Sequence, residues 1–291
     1  MSDYLSITPG EIKTRLLHAY LLGAVAPRPI AFASTISASG VPNLAPFSFF
    51  NVFSSNPPIL IFSPARRVRD NTTKHTLQNV IAVPEVVVNV VSHALVEQAN
   101  LASTEYPDGV NEFEKAGLTP LRSETVRPFR VAESPVQMEC KVSEIKPLGD
   151  HGGAGQLVFA RVLRMHIHRD ILDAEEKIDP QRIDLVARMG GNYYARASGG
   201  ALFELEKPLE APGIGIDALP AFIRESDTLT GNELGRLANV PSLPSRTEVE
   251  SWWNSHGSQY EGVDRELAAR KSLQAGDKET SLFLLMRPLL G

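Results

Sequence analysis

The 291 residues are 43% hydrophobic and 22% charged with a formal net charge of −5, the balance of a globular chain long enough to bury a core as one large or two modest domains. No block of basic residues is present, which argues against nucleic acid as the main partner. The single cysteine, Cys140, excludes an internal disulfide and a thiolate metal cluster and reads as a small packed hydrophobe. Residues 1–10 are polar and no apolar run approaches the ~20 residues of a bilayer span, so neither a signal peptide nor a membrane segment is expected, and a reducing, cytoplasmic setting is.

In chain order, Thr8 and Glu11 have capping-box spacing and Pro9 suits a first helical position. Ile12, Leu16, Leu17, Tyr20 and Leu21 share one face, so a helix is predicted over 8–22, ended by Gly23. In Pro27-Arg28-Pro29 two rings fix φ and remove two amide donors. Residues 30–36 alternate as a half-buried strand, Ser37 to Gly40 form a turn, and a second strand runs from Val41 past Pro42 and Pro46. It ends in Ser48-Phe49-Phe50-Asn51, which delivers hydroxyls, an amide and rings beside a proline-guarded sheet edge. That mixture suits a flat aromatic ligand with a polar or anionic tail, and equally an ordinary Pro-rich hairpin.

Residues 59–63 read as a strand buried on both faces. The stretch 66–76 follows, with three arginines, one lysine and three threonines: either a phosphate cradle built on Lys74 and Thr76, or a solvated loop. Residues 86–91 predict a central strand, 94–101 a short helix, and 112–116 a helical turn before Gly117. Strands with a polar face over 136–142 and a longer alternation over 157–168 flank a glycine-rich, mobile hairpin end carrying His151. His166 and His168 share a face but lack a third ligand, so a solvent-facing pair is expected and no metal site. Residues 188–194 form a Gly-hinged loop suited to closing over a ligand or lining a subunit contact. Beyond Glu204, Pro208, Pro212, Pro220, Pro241 and Pro244 punctuate short segments, a Ser245-to-Glu248 capping box opens a helix with Val249, Trp252 and Trp253, and a further helix spans 261–273. No catalytic cluster is evident there.

Taken in order, PRPIAFAST, NLAPFSFFN, KHTLQNV, EFEKAGLTP with SPVQMECKV, and VARMGGNYY resemble the flavin reductase-like family of FMN-binding split barrels, the group of flavoredoxin-type proteins and nitrilotriacetate monooxygenase reductase components. The resemblance covers about two thirds of the chain, from about residue 26 to 194. It implies a mainly β fold with peripheral helices, a Greek-key split β-barrel over 1–205, and a homodimer with FMN at the subunit interface. The remaining 206–291 would be a mostly helical extension packing on the barrel or on the partner. The isoalloxazine would lie against Ala33, Thr35 and Ser48, Phe49, Phe50 and Asn51, and the phosphate near Ser63, Lys74 and Thr76. Where the family usually has Lys-Asp-Thr, this chain has Lys74-His75-Thr76. Gly149-Asp150-His151 resembles the Gly-Asp-His turn of short flavin reductases, which would bring His151 near the nicotinamide, whereas Arg161 stands where an acidic residue is common. The implied activity is hydride transfer from NADH or NADPH to flavin, with electrons passed to free flavin, oxygen, ferric iron or a monooxygenase partner. Two alternatives stay open: a non-catalytic FMN electron carrier, and a binding module for another phosphorylated heterocycle.

Overall fold

The computed structural model describes residues 3–205 and 212–290, and the chain divides into two compact units, Met1–Phe203 and Glu204–Gly291. Pro208 and the expected boundary between 205 and 206 fall at or beside 206–211, outside the described residues.

The first unit is built on one antiparallel sheet. Its strands are Ala31–Ile36 (β1), Pro42–Phe47 (β2), Phe50–Ser55 (β3), Pro58–Phe62 (β4), Glu85–Val90 (β5), Val136–Pro147 (β8) and Gln156–Ile167 (β9). Two-residue strands Pro120–Leu121 (β6) and Arg130–Val131 (β7) pair with each other, as do Leu185–Arg188 (β10) and Tyr194–Ala197 (β11). The main sheet runs β2-β1-β5-β8-β9-β4-β3, so β2 and β3, neighbours in sequence, stand at its two edges. Only Ser48 and Phe49 join them, a link of roughly 10 Å at full stretch. The sheet must therefore curl until its edges nearly meet, which makes a split β-barrel with helices around it. Prolines 42 and 46 lie in the edge strand β2, where a missing amide donor is tolerated.

Alternate residues of the curled sheet fill the barrel: Ala31, Ala33, Phe62, Val86, Val88, Cys140 and Val158 all lie in one buried cluster. Opposite faces carry a second cluster, in which Phe32 and Leu44 meet Leu95 and Ala99 near Val96–Leu101 (α3) and Phe113 of Glu112–Ala116 (α4). As a result β1 is buried at all six positions, not half-buried as its alternation predicts. The buried carboxylate of Glu112 accepts from the Leu44 amide of edge strand β2 at 3.0 Å, satisfying a donor the missing neighbour would have taken. Burial, ahead of that bond, raises the Glu112 pKa.

Three other expectations need correction. The first helix (α1) spans Thr14–Ala24, passing through Gly23, while Pro9–Glu11 make a separate short 3-10 turn and Thr8 makes no capping bond. Pro9 suits a first turn, but Gly10 weakens its continuation, and Ile12 and Lys13 are extended. Second, the polar face of β8 is covered at Gln137 and Glu139, while Lys141 stays exposed. Glu139 is fully buried, accepting from the Glu124 and Thr125 amides and the Thr125 hydroxyl, with His166 Nε2 at 2.7 Å. His166 is thus tied to a buried carboxylate, while His168 lies past the end of β9 and caps the next turn. Third, the glycine-rich hairpin end is bonded down, as described below.

In the second unit, Ala221–Arg224 (α6), Gly231–Ala238 (α7), Arg246–His256 (α8), Arg265–Gln274 (α9) and Lys278–Leu285 (α10) follow Pro180–Ile183 (α5) and His75–Ala82 (α2) of the first. Ser245 and Glu248 form the predicted capping box, and Asp264 caps α9. Val249, Leu237, Leu273 and Leu284 form a core of this unit's own. Trp252 and Trp253 pack against that core, Trp252 stacking on Phe283 at 5.4 Å and Trp253 Nε1 donating to the Phe283 carbonyl at 2.9 Å. Among the described residues, no helix is long and apolar enough to cross a membrane.

Candidate functional site

The split of the barrel opens a cleft of about 380 Å³, walled by Phe47 at the end of β2, Ser48 and Phe49 on the β2–β3 link, and Ser63, Arg67 and Lys74 beyond β4. Its polar end begins at α2. Lys74 stands at the N-cap, and no side chain caps the first amides, so the positive end of the helix faces whatever binds. The Lys74 ammonium lies 5.5 Å from the centre of the Phe47 ring. Among the described residues it has no carboxylate within ion-pair distance. Burial lowers its pKa, Arg67 lowers it further, and Glu105 partly opposes them. A half-buried cation without a counterion is a place prepared for an anion.

The arginines are mostly committed to holding the loop. Arg66 bonds the side chain and carbonyl of Asn71 at 2.6 and 2.7 Å. Arg67 donates to the Thr73 carbonyl and to Glu105, both at 2.7 Å, and Arg69 reaches Glu105 at 3.2 Å. Glu105 lines the cleft but is neutralised by those two guanidiniums, so Lys74, like Arg66, is left without a carboxylate partner among the described residues. The hairpin end between β8 and β9 docks on this loop: Gly153 donates to the Arg66 carbonyl, Arg66 to the Ala154 carbonyl, and Asn71 Nδ2 to the Asp150 carbonyl, each at 3.0 Å. A Cβ at Gly152 would sit 3.0 Å from the Arg67 oxygen and 3.1 Å from that of Val68, so glycine there permits the close approach.

At the apolar end Phe49 meets His18 of α1 edge-on at 6.1 Å. Behind the wall lies Arg28, 6% exposed. Its guanidinium donates to the carbonyls of Leu22, Val25 and Met189 and, at 3.4 Å, to the Ser48 hydroxyl. It therefore fastens α1, the end of β10 and the cleft wall together.

Of the residues named from the sequence, Ser48, Phe49, Ser63 and Lys74 line the cleft together. Ser63 Oγ accepts from the Gln156 amide at 2.9 Å, which leaves its proton to donate. Ala33, Thr35 and Thr76 do not line it. All three are buried, and Asn43 Nδ2 bonds both threonine hydroxyls, Thr35 at 3.1 Å and Thr76 at 3.0 Å, while Asn79 also donates to Thr35. This network holds α2 against the first hairpin and so positions Lys74. Phe50 packs towards the barrel core, and the exposed Asn51 accepts from the Val52 amide. The His151 side chain is 94% exposed and does not line the cleft. Arg28, His18 and Phe47 were not singled out; the two prolines flanking Arg28 were the available signal, since they hold its backbone in one direction.

A barrel split at its edges, with an ammonium and the Phe47 and Phe49 rings lining the split, has the chemistry to receive a flat ligand with an anionic tail. The flavin reductase like domain matches residues 23–186, and the chain belongs to the flavin reductase-like family. A relative in Aquifex aeolicus, an uncharacterized protein, is 42% identical over 183 residues, 63% of this chain and 91% of that one. Nitrilotriacetate monooxygenase component B from Bacillus cereus has the same fold at a TM-score of 0.65 and 32% identity, over 70% of this chain and 100% of that one. For the 2-nitrobenzoate 2-nitroreductase NbaA of Pseudomonas fluorescens the values are 0.61 and 26%, over 72% and 100%. The donor set fits a flavin nucleotide: Lys74, free helix amides and the Ser63 hydroxyl suit a phosphate, and Phe47 and Phe49 suit a ring system.

Proposed function

We propose that the protein is an FMN-dependent oxidoreductase of the flavin reductase type, taking a hydride from NADH or NADPH and passing electrons to free flavin, a monooxygenase partner or another acceptor. The carrying observation is the unpaired Lys74 ammonium at the uncapped start of α2, facing an aromatic-walled cleft in a chain of this family. When bound, FMN supplies the two-electron chemistry, so the protein needs no acid-base pair of its own. Lys74, the first amides of α2 and Ser63 hold the phosphate. Phe47 and Phe49 flank the ring and exclude water, and Ser48, oriented by Arg28, offers a hydrogen bond to a ring heteroatom. Arg28 also places a buried positive charge behind that wall, where it favours a ring edge that becomes anionic on reduction. Thr35 and Thr76 act by positioning α2. His151, on the solvent side of the docked hairpin end, orients the arriving nicotinamide.

A homodimer completes this reading. No residue of α1 is buried, although Leu16, Tyr20 and Leu21 are apolar, and Val52 and Phe53 of edge strand β3 are more than 60% exposed. Such faces are what a second copy covers.

Anaerobic titration of the FMN-loaded chain with NADH and then NADPH tests the activity. Loss of the oxidised flavin absorption, with turnover when excess flavin is added, is the expected result. A flavin that stays oxidised with both donors would make the protein a carrier needing a separate reductase. Lys74→Ala should weaken FMN retention about tenfold or more, through loss of a charge-assisted bond; unchanged retention would remove Lys74 from the site.

A further inference from the structure

On the far side of the Pro46–Phe47–Ser48 wall lies a second recess, of about 220 Å³. Ile30, Phe47, Val96 and Ala99 give it apolar sides, and Asn100 and Ser103 supply polar groups at its rim. Arg188 is its one charged lining residue, and no carboxylate lines it. The Arg188 guanidinium lies over the Tyr194 ring, 4.5 Å from its centre, and among the described residues its side chain donates to the Gly191 carbonyl at 3.1 Å. Among the described residues neither Arg188 nor Arg28 has a carboxylate within 4.0 Å. The two cations repel, which together with the larger effect of burial lowers the Arg28 pKa. By contrast Arg196, in the hollow that continues past Asn100 and Tyr194, is bound at 2.7 Å by both oxygens of Asp184. Positive charge thus stands on one wall of a small recess of mixed apolar and neutral polar lining, with no carboxylate among its lining residues.

An oriented guanidinium is matched best by a planar carboxylate, which it can grip with two parallel bonds. At about 220 Å³ the recess is smaller than the roughly 300–1,000 Å³ of sites for drug-sized ligands, so it takes one ring and not a dinucleotide. We propose that this recess binds a small planar carboxylate, a single aromatic or unsaturated ring with its carboxyl group on Arg188. Binding itself needs no flavin. Its significance as a substrate site beside the cofactor, one wall away, rests on the flavin reading above.

The probes are benzoate and its neutral isostere benzamide, titrated calorimetrically into the full chain with and without FMN. Benzoate should bind about tenfold tighter than benzamide. Arg188→Gln should erase that preference by weakening benzoate alone, with FMN retention unchanged. Arg188→Lys, which keeps the charge and loses the fork, should recover part of it, and Ser103→Trp should block both probes. Equal affinity for the two probes, no binding of either, or a preference that survives Arg188→Gln would overturn the proposal. So would displacement of FMN by benzoate, because the two would then share one cleft. A chain that binds benzoate through Arg188 but takes up no FMN would leave this site standing and remove only the flavin reading.

Discussion

A lysine drawn out of water without a counterion is held in an unfavourable state that an anion relieves, and Lys74 is such a residue. Its charged form is already disfavoured by burial and by Arg67. If it holds the FMN phosphate, retention should fall as pH rises through a range lower than an ordinary lysine's, because only the ammonium form attracts the phosphate. Equilibrium dialysis of FMN across the alkaline range checks this, and Lys74→Ala should flatten the profile. His151 makes the opposite case, since an exposed imidazole contributes little to folding and its substitution probes function cleanly. His151→Ala should slow reduction by the nicotinamide while leaving FMN bound. Stopped-flow traces like those of the unaltered protein would return it to an ordinary surface position. Cys140, by contrast, has its thiol pushed up to about 12 by burial and then by Glu139, which makes it a packing residue rather than a nucleophile.

At the scale of elements, strand β8 shows how a polar face can be interior. Burial by itself would raise the Glu139 pKa, but hydrogen bonds from Thr125, the Glu124 amide and His166 outweigh it and hold the carboxyl at about 2. The unfolded chain returns to the ordinary 4.5, so as pH falls it takes up this proton first. The stabilisation is complete above about pH 5 and is lost towards pH 2, roughly 3 kcal/mol in all. Denaturant melts at stepped pH should show that slope, and Glu139→Gln should remove much of it. Gln137 and Asn89 work in the same way. Gln137 Nε2 donates to the Val131 and Ser134 carbonyls, and Asn89 Oδ1 accepts from the Val131 amide, so these side chains satisfy the backbone of the segment laid over them. The wall of the cleft depends on a similar economy, with Arg28 binding three carbonyls from two distant segments.

For the molecule as a whole, the two separate cores matter most. Leu284 is fully buried among α7–α10 residues, and Leu284→Ala should cost about 2–5 kcal/mol in the unfolding of the second unit. FMN retention should be unchanged in that variant at temperatures below the transition, because the cleft is built from the first unit alone. Concomitant loss of flavin would show that the second unit supports the cleft. Light scattering should give twice the chain mass of 31.8 kDa, with Leu21→Asp reducing it to one chain; a monomeric parent would send the uncovered α1 face to another partner.

Much of the fold was legible because it is encoded locally. Alternation marked β1, β8 and β9, a run of β-branched residues marked β5, a turn signal joined β1 to β2, and the Ser245-to-Glu248 spacing marked the start of α8, each through contacts a few residues long. Lys74 and Ser48 were legible as chemistry for the same reason. What local pattern does not carry is which face of an element is covered, and by what. Thr35 and Thr76 resembled ligand groups but turned inward to Asn43, and Glu139 resembled a solvent-facing strand residue until 124–125 closed over it. Arg28 found an acceptor at Met189, 161 positions away. Sequence alone determined most strands of the main sheet, the cap of α8 and the family of the barrel, through short-range periodicity and motif order. Tertiary structure decided which polar groups were consumed by backbone carbonyls and amides, and left the cleft-lining Lys74 and the recess-lining Arg188 with no carboxylate beside them among the described residues, because that depends on long-range neighbours.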